Sequence, residues 1–313
     1  MKVLQIGAGV VGSATGKGLG QLGHDVCFVD ANAEVVRALR LEGHSAYSPG
    51  DYAVSLFAPE IVLISVPTPS LPYGQVDLSY LDEALRFCGY SVLAASTEHL
   101  TVAVRSTVPP GTTRNRVIPL LEETSGRKHS RGVSVSFNPE FLRSASAEKD
   151  FLTPWIIVAG VLDPYARAAV QDLYDGAEAP LILTDFETAE MAKYVSNCFN
   201  ATKISYSNEM WLLAAELGLD GNEVLRIASQ AAEGYWSSTY GTFGGRPFGG
   251  TCLPKDTAAI LSFGERIGID LPLVRAVTEV NQRMEKMAEG QILQARPEPP
   301  IPAPEQAGTA VQL

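Results

Sequence analysis

The sequence predicts an α/β fold: a doubly wound parallel sheet over residues 1–185, followed by an all-helical domain over residues 186–290. Three observations carry this. Short apolar runs alternate with amphipathic stretches through the first half, the pattern of strands joined by helical crossovers. A glycine-rich turn, Gly7-Ala8-Gly9-Val10-Val11-Gly12, follows directly on the first apolar run. Beyond residue 188 the strand-like runs stop, and helical patterns alone continue to residue 288.

The first strand is expected at 2–6, and a helix at 14–22 follows the glycine turn. A second strand at 26–29 ends on Asp30. This is the Rossmann-like arrangement for a dinucleotide. Glycines close the turn and let the backbone approach a pyrophosphate at the helix N-terminus, and the acid falls where the ribose hydroxyls lie. A carboxylate at Asp30 repels a 2′-phosphate, so the expected cofactor is NAD rather than NADP. Gly7, Gly9, Val10, Val11, Gly12 and Asp30 would hold it. Further strands are expected at 61–66, 100–105, 133–137, 156–159 and 181–183, with helices at 33–42, 78–93 and 114–123. Thr68, Thr107 and Glu140 each fall just past a strand C-terminus, where ligands bind in open α/β sheets.

In the second half, 188–217 reads as one helix about 45 Å long. Glu190, Lys193 and Asn197 share one of its faces by their three- and four-residue spacing. A lysine and an amide there can donate to a developing oxyanion; the alternative is a solvated polar face. The apolar positions Met191, Val195, Phe199, Ile204 and Trp211 need a partner to cover them, so a homodimer through this helix is expected. Shorter helices are expected at 221–232, 256–267 and 273–288. Between them stands Gly249-Gly250-Thr251-Cys252-Leu253-Pro254-Lys255-Asp256. A thiol in a glycine turn can act as a nucleophile, and a neighbouring ammonium favours its thiolate. Together with a nicotinamide site it points to an alcohol oxidised beyond the aldehyde through a covalent thioester.

Composition sets the outer bounds. A net charge of −11 over 313 residues argues against a nucleic-acid surface. No apolar run approaches the roughly 20 residues that span a bilayer. The chain enters a strand at its start, so no signal peptide is expected. The four cysteines lack metal-ligand spacing; no metal is expected, and free thiols imply a reducing cytoplasm. Cys27, Cys88 and Cys198 read as small buried hydrophobes. Residues 291–313 form a proline-rich tail that composition marks as disordered.

Taken in order, these motifs resemble the UDP-glucose/GDP-mannose dehydrogenase family over residues 1–290. The resemblance rests on the glycine turn, Val66-Pro67-Thr68-Pro69, Ser106-Thr107-Val108-Pro109-Pro110-Gly111-Thr112 and Asn138-Pro139-Glu140-Phe141-Leu142-Arg143. It also rests on 190–197 with Asn208-Glu209, and on the cysteine segment. It implies oxidation of a primary alcohol of a sugar nucleotide, nucleoside or related sugar to a carboxylate with two NAD. Cys252 would trap the aldehyde as a thiohemiacetal, and a second oxidation would give a thioester that water hydrolyses. Lys193 and Asn197 would stabilise the oxyanions, Asp256 and Thr107 would position water, and Glu140 would act as base. Lys255 and Thr68, with Thr107 and Glu140, would contact NAD. Phe141, Leu142, Lys193, Asn197, Arg246, Phe248 and Gly249 would meet the substrate.

The chain also departs from the family. Family members continue into a further, UDP-binding domain where this chain has its proline-rich tail, so a truncated member with weakened hold on a UDP-sugar is expected. Val35 stands in place of a lysine, Ser144-Ala145 in place of Glu-Gly, and Ile156 in place of an arginine. Two alternatives therefore remain beside the two-step oxidation: a single-step alcohol or hydroxyacid dehydrogenase, and a non-catalytic NAD-binding paralogue.

Overall fold

A computed structural model describes residues 1–143, 146–237, 240–241, 246–250 and 252–290. The proline-rich tail and the Ser144-Ala145 departure lie outside the described residues.

Eight strands form one sheet in the order β3-β2-β1-β4-β5-β6-β7-β8. They are β1 (Lys2–Ile6), β2 (Asp25–Val29), β3 (Ser45–Tyr47), β4 (Ile61–Ile64), β5 (Leu100–Val104), β6 (Val133–Phe137), β7 (Ile157–Val161) and β8 (Leu181–Thr184). Strands β1 to β6 are mutually parallel and follow the doubly wound order, reversing direction of growth between β1 and β4. Strand β7 runs antiparallel to β6, and β8 runs parallel to β7. A fully parallel sheet was the expectation. The difference lies in the β6–β7 connection, whose described residues hold the short helix α5 (Ala147–Leu152) and no full helical crossover.

The other helices of this part are α1 (Val10–Gln21), α2 (Ala33–Leu41), α3 (Ser79–Phe87), α4 (Ile118–Ser125) and α6 (Pro164–Leu173). Alternate strand residues feed two cores. Leu4, Ile6, Val62, Ile64, Val102 and Val104 pack with Leu81 and Leu85 of α3 and Leu121 of α4. Val3, Ile61, Leu63 and Ala103 pack with Leu19 of α1, Phe151 of α5 and Val170 of α6. Strands buried on both faces read as continuous apolar runs, which is why the sequence shows them. Each such side chain contributes about 1.5–3 kcal/mol on burial. The patterning does not reveal β3, α5 or α6. A three-residue strand is too short for periodicity. Helix α6 does carry a start signal: the Asp163 carboxylate accepts from Ala166 N at 2.9 Å, and Pro164 opens the first turn.

Helix α7 spans Phe186–Glu216. The chain divides into two compact units at Phe199/Asn200, inside this helix. In the second unit follow α8 (Gly221–Ala231), α9 (Leu253–Ile267) and α10 (Pro272–Gly290). Its small core joins Leu213, Leu271 and Val274. The Glu209 carboxylate accepts from Leu273 N and Val274 N at 2.7 and 3.0 Å, and so caps α10 from α7. Among the described residues no helix is long and apolar enough to cross a membrane.

Candidate active site

The glycine turn is built by contact. Gly7 has φ +80°, and a Cβ on it would lie 2.3 Å from the Ser65 carbonyl oxygen at the end of β4. A Cβ on Gly12 would lie 1.9 Å from the Gly7 carbonyl oxygen. Only glycine lets the turn close against both neighbours. Gly9 is the opposite case: nothing lies within 4 Å of its missing Cβ, and it is the N-cap of α1 with no side chain capping the helix. Among the described residues no side chain takes the first N–H groups of α1, and Gly9, Val10 and Val11 line a cleft, an arrangement that fits a pyrophosphate. Helix α1 begins at Val10 and not at 14 as expected, which places Val10 and Val11 in its first turn.

Asp30 ends β2 beside this turn. One carboxylate oxygen accepts from Ala8 N at 2.6 Å and the other from Asn32 N at 2.7 Å. The expected ribose acid thus also ties the turn to β2.

A cleft of about 270 Å³ opens over the switch point between β1 and β4. Its walls are residues 9–11, residues 65–68, residues 105–107 and Glu140. All come from strand C-terminal ends or the start of α1, as the sheet topology requires. The Ser106 hydroxyl accepts from Val66 N at 2.8 Å and donates to Val66 O at 2.7 Å. The Thr68 hydroxyl donates to Thr107 O at 2.9 Å. These bonds lock the β4 and β5 loops together and bring Thr68, Thr107 and Glu140 to one cleft.

Glu140 accepts from Leu142 N at 2.6 Å and from the Lys193 ammonium at 3.0 Å. Lys193 is only 4% exposed, and its Nζ stands 5.3 Å from the centre of the Phe141 ring. Phe141 and Leu142 are half-buried beside this pair. Glu190, on the same face of α7, is fully buried and accepts from Gly111 N and from Thr113 N, the latter at 2.7 Å. It pegs α7 to the loop that follows β5. Asn197 lies further along α7 and is exposed.

Patterning did not mark Arg105. Its guanidinium is 3% exposed, and Nη1 donates to Asn138 Oδ1 and to Tyr174 OH, the latter at 2.7 Å. Its Nε has no hydrogen-bond partner among the described residues. The available signal is a charge that ends the apolar run 100–104.

The cysteine segment belongs to the second unit. Helix α9 starts at Leu253, earlier than expected, because Pro254 sits in its first turn, where a missing N–H costs nothing. Cys252 is consequently the N-cap, and it is exposed. Gly250 has φ +77°. Lys255 and Asp256 are both exposed, with Nζ 3.3 Å from Oδ1, so the ammonium beside the thiol is paired with the neighbouring acid. Arg246 and Gly249 are exposed and Phe248 is half-buried. Burial pushes the Cys27 and Cys88 thiols up to about 12. Cys198 is exposed, not buried as expected. Among the described residues no cluster of His, Cys, Asp and Glu is disposed to hold a metal.

Comparison with known proteins agrees with this geometry. Residues 40–178 match the NAD binding domain of the UDP-glucose/GDP-mannose dehydrogenase family, and residues 187–283 match its central domain. GDP-mannose 6-dehydrogenase of Pseudomonas syringae pv. tomato is 34% identical over 299 residues, which is 90% of this chain and 68% of that protein. UDP-glucose 6-dehydrogenase AglM of Haloferax volcanii is 31% identical over 306 residues, covering 90% and 69%. The crystal structure of a ternary complex of GDP-mannose dehydrogenase from Pseudomonas aeruginosa superposes with a TM-score of 0.85 at 30% identity, covering 93% of this chain and 72% of that one. The open helix N-terminus at Gly9, the cleft at the switch point and these matches together make the chain an NAD-dependent oxidoreductase acting on CH–OH, and it belongs to the UDP-glucose/GDP-mannose dehydrogenase family.

Proposed function

We propose that this protein oxidises the primary alcohol of a nucleotide sugar to the carboxylate in two steps through a thioester on Cys252. The observation that carries the two-step reading is the placement of Cys252: an exposed thiol at a helix N-cap, entered through two glycines. A single oxidation to the aldehyde needs no such nucleophile. When bound, NAD supplies the acceptor for the electron pair removed at each oxidation.

The chain's own residues supply the rest. After the first oxidation the Cys252 sulfur adds to the aldehyde carbon, and the carbonyl oxygen becomes an oxyanion that takes a proton. In the second oxidation the hydroxyl gives up its proton as the remaining hydrogen of that carbon leaves with its electron pair, and the thioester remains. Water then adds, the C–S bond breaks, and the carboxylate leaves with the thiol restored. Lys193 and Asn197 donate hydrogen bonds to the oxyanions, a stabilisation worth about 3–4 kcal/mol per well-placed donor. Glu140 takes the proton of the attacking water, with Thr107 and Asp256 orienting it. Thr68 and Lys255 contact the cofactor. Asp30, held by Ala8 N on one oxygen and Asn32 N on the other, disfavours a 2′-phosphate. Arg246, Phe248 and Gly249, with Phe141 and Leu142, meet the substrate. The relatives named above support a sugar nucleotide as that substrate.

The test is stoichiometry. GDP-mannose and UDP-glucose are offered separately, and NADH and acid are counted. The expected result is two NADH per carboxylate, with Cys252→Ser losing the second oxidation. Aldehyde as the sole product of the unmutated protein, or an unimpaired Cys252→Ser, would overturn the reading.

A further inference from the structure

We infer that Asn281 is a positioning residue for the thiol-bearing loop; this rests on the proposed role of Cys252. Asn281 lies on α10, distant in sequence from the loop, and is only 6% exposed. Its carboxamide grips both main-chain groups of one loop residue. Oδ1 accepts from Phe248 N at 2.7 Å, and Nδ2 donates to Phe248 O at 3.1 Å. The side chain thus replaces the neighbouring strand that would otherwise pair such a residue.

The orientation of the amide is itself determined. Glu285 stands one turn further along α10, and its Oε1 accepts from Asn281 Nδ2 at 3.0 Å. A carboxylate can only accept, so the nitrogen end of the amide faces Glu285 and the oxygen end faces the Phe248 N–H. Glu285 therefore selects the state of Asn281 in which both Phe248 groups are satisfied.

The clamp sits at the place where the loop needs it. Phe248 is followed by Gly249 and by Gly250 at φ +77°, and glycines place little restraint of their own on the chain. On the far side, Asp256 N donates to Cys252 O at 2.8 Å and fixes the thiol residue to α9. The glycine segment hangs between two anchors, Asn281 at one end and α9 at the other. Loss of the first lets the turn wander, and with it Arg246, Phe248 and the approach to the Cys252 sulfur. Helix α10 keeps its own cap from Glu209 and its core contacts through Val274, so the effect is confined to the loop.

The test uses the full chain and four proteins: unmutated, Asn281→Ala, Asn281→Asp, and Asn281→Asp with Glu285→Gln. Amide hydrogen exchange at 248–250 reads the clamp. The alkylation rate of Cys252 by iodoacetamide, resolved by peptide, reads the thiol's placement. The kcat and KM values for NADH formation read the consequence. Asn281→Ala should release exchange at 248–250 and slow Cys252 alkylation about threefold. It should lower kcat about tenfold or more while leaving the KM for NAD unchanged. Asn281→Asp alone sets two carboxylates against each other. Adding Glu285→Gln supplies an amide donor to the new carboxylate at position 281 and removes that repulsion while the Phe248 N–H bond is kept. Phe248 O stays without its donor, so part of the lost kcat should return. Unchanged exchange in Asn281→Ala overturns the clamp. Released exchange with unchanged alkylation and kcat overturns its role in positioning, as does a double variant no better than Asn281→Asp alone. Should the unmutated protein turn over no nucleotide sugar, the proposed function fails, and the exchange and alkylation results still decide the role of Asn281.

Discussion

Lys193 on α7 reaches back to Glu140 beyond β6, and their charged groups meet at 3.0 Å with side chains 5% and 13% exposed. The family resemblance implies a base at Glu140 and an oxyanion donor at Lys193. The structure makes the two hydrogen-bonded partners.

The pair gives the first prediction. Lys193→Met keeps much of the stem's packing but leaves the Glu140 carboxylate without its counter-ion. Breaking a buried pair from one side costs about 3–5 kcal/mol, and the partial exposure of Glu140 puts this pair below that range. Activity should fall about a hundredfold, since the proposed donor to the oxyanion is gone. Urea unfolding and steady-state rates on the same variant separate the two effects. A variant as active as the parent would remove Lys193 from the mechanism.

Native-state thiol labelling should divide the cysteines. Cys198 and Cys252 are exposed. Cys27 and Cys88 are buried, with their thiols pushed up to about 12. Brief iodoacetamide treatment at pH 7.5 should modify Cys252, and Cys198 to the extent that α7 is not covered by a second copy, and spare Cys27 and Cys88 until denaturant is added. Mass spectrometry of the peptides reads this directly.

Stability should decline on mild acidification, with His129 as one source. Burial lowers its affinity for protons below the ordinary 6.5, and the nearby Asp163 offsets this only in part. The unfolded chain then binds more protons than the native one between pH 6.5 and the lowered native value, so stability is present above about pH 6.5 and is lost as pH falls through that window. His24, lowered by burial as well, acts in the same direction. The fall in Tm between pH 7.5 and 5.5 should be smaller in His129→Gln than in the parent.

We propose that α7 is the seam of a homodimer. Met191, Val195, Phe199, Ile204 and Trp211 are 43–62% exposed on this helix. So much large apolar surface along one helix calls for a partner. Sedimentation at micromolar concentration should give twice the 33.5 kDa chain mass. Monomer alone would defeat the proposal, and Phe199→Glu with Ile204→Glu should shift a dimer toward monomer.

Local rules by themselves determined much of this protein. The strand runs are legible because a strand buried on both faces must be apolar throughout. The turn from Gly7 to Gly12 is legible because a Cβ on Gly7 or Gly12 would lie 2.3 or 1.9 Å from a neighbouring carbonyl oxygen, so only glycine fits. The Cys252 segment is legible for its chemistry, through a thiol among glycines. Tertiary structure decided what depends on distant partners. It reversed β7, because the described residues of the β6–β7 connection hold a short helix where a parallel strand needs a full crossover. It turned Glu190 from a member of a polar face into a peg on the loop after β5, and it closed Lys193 onto Glu140 across 53 residues. It buried the Arg105 guanidinium on Asn138 and Tyr174, and it set the Asn281 amide on the Phe248 backbone. None of these follows from spacing along the chain, since each depends on groups that meet only when the sheet and helices are packed.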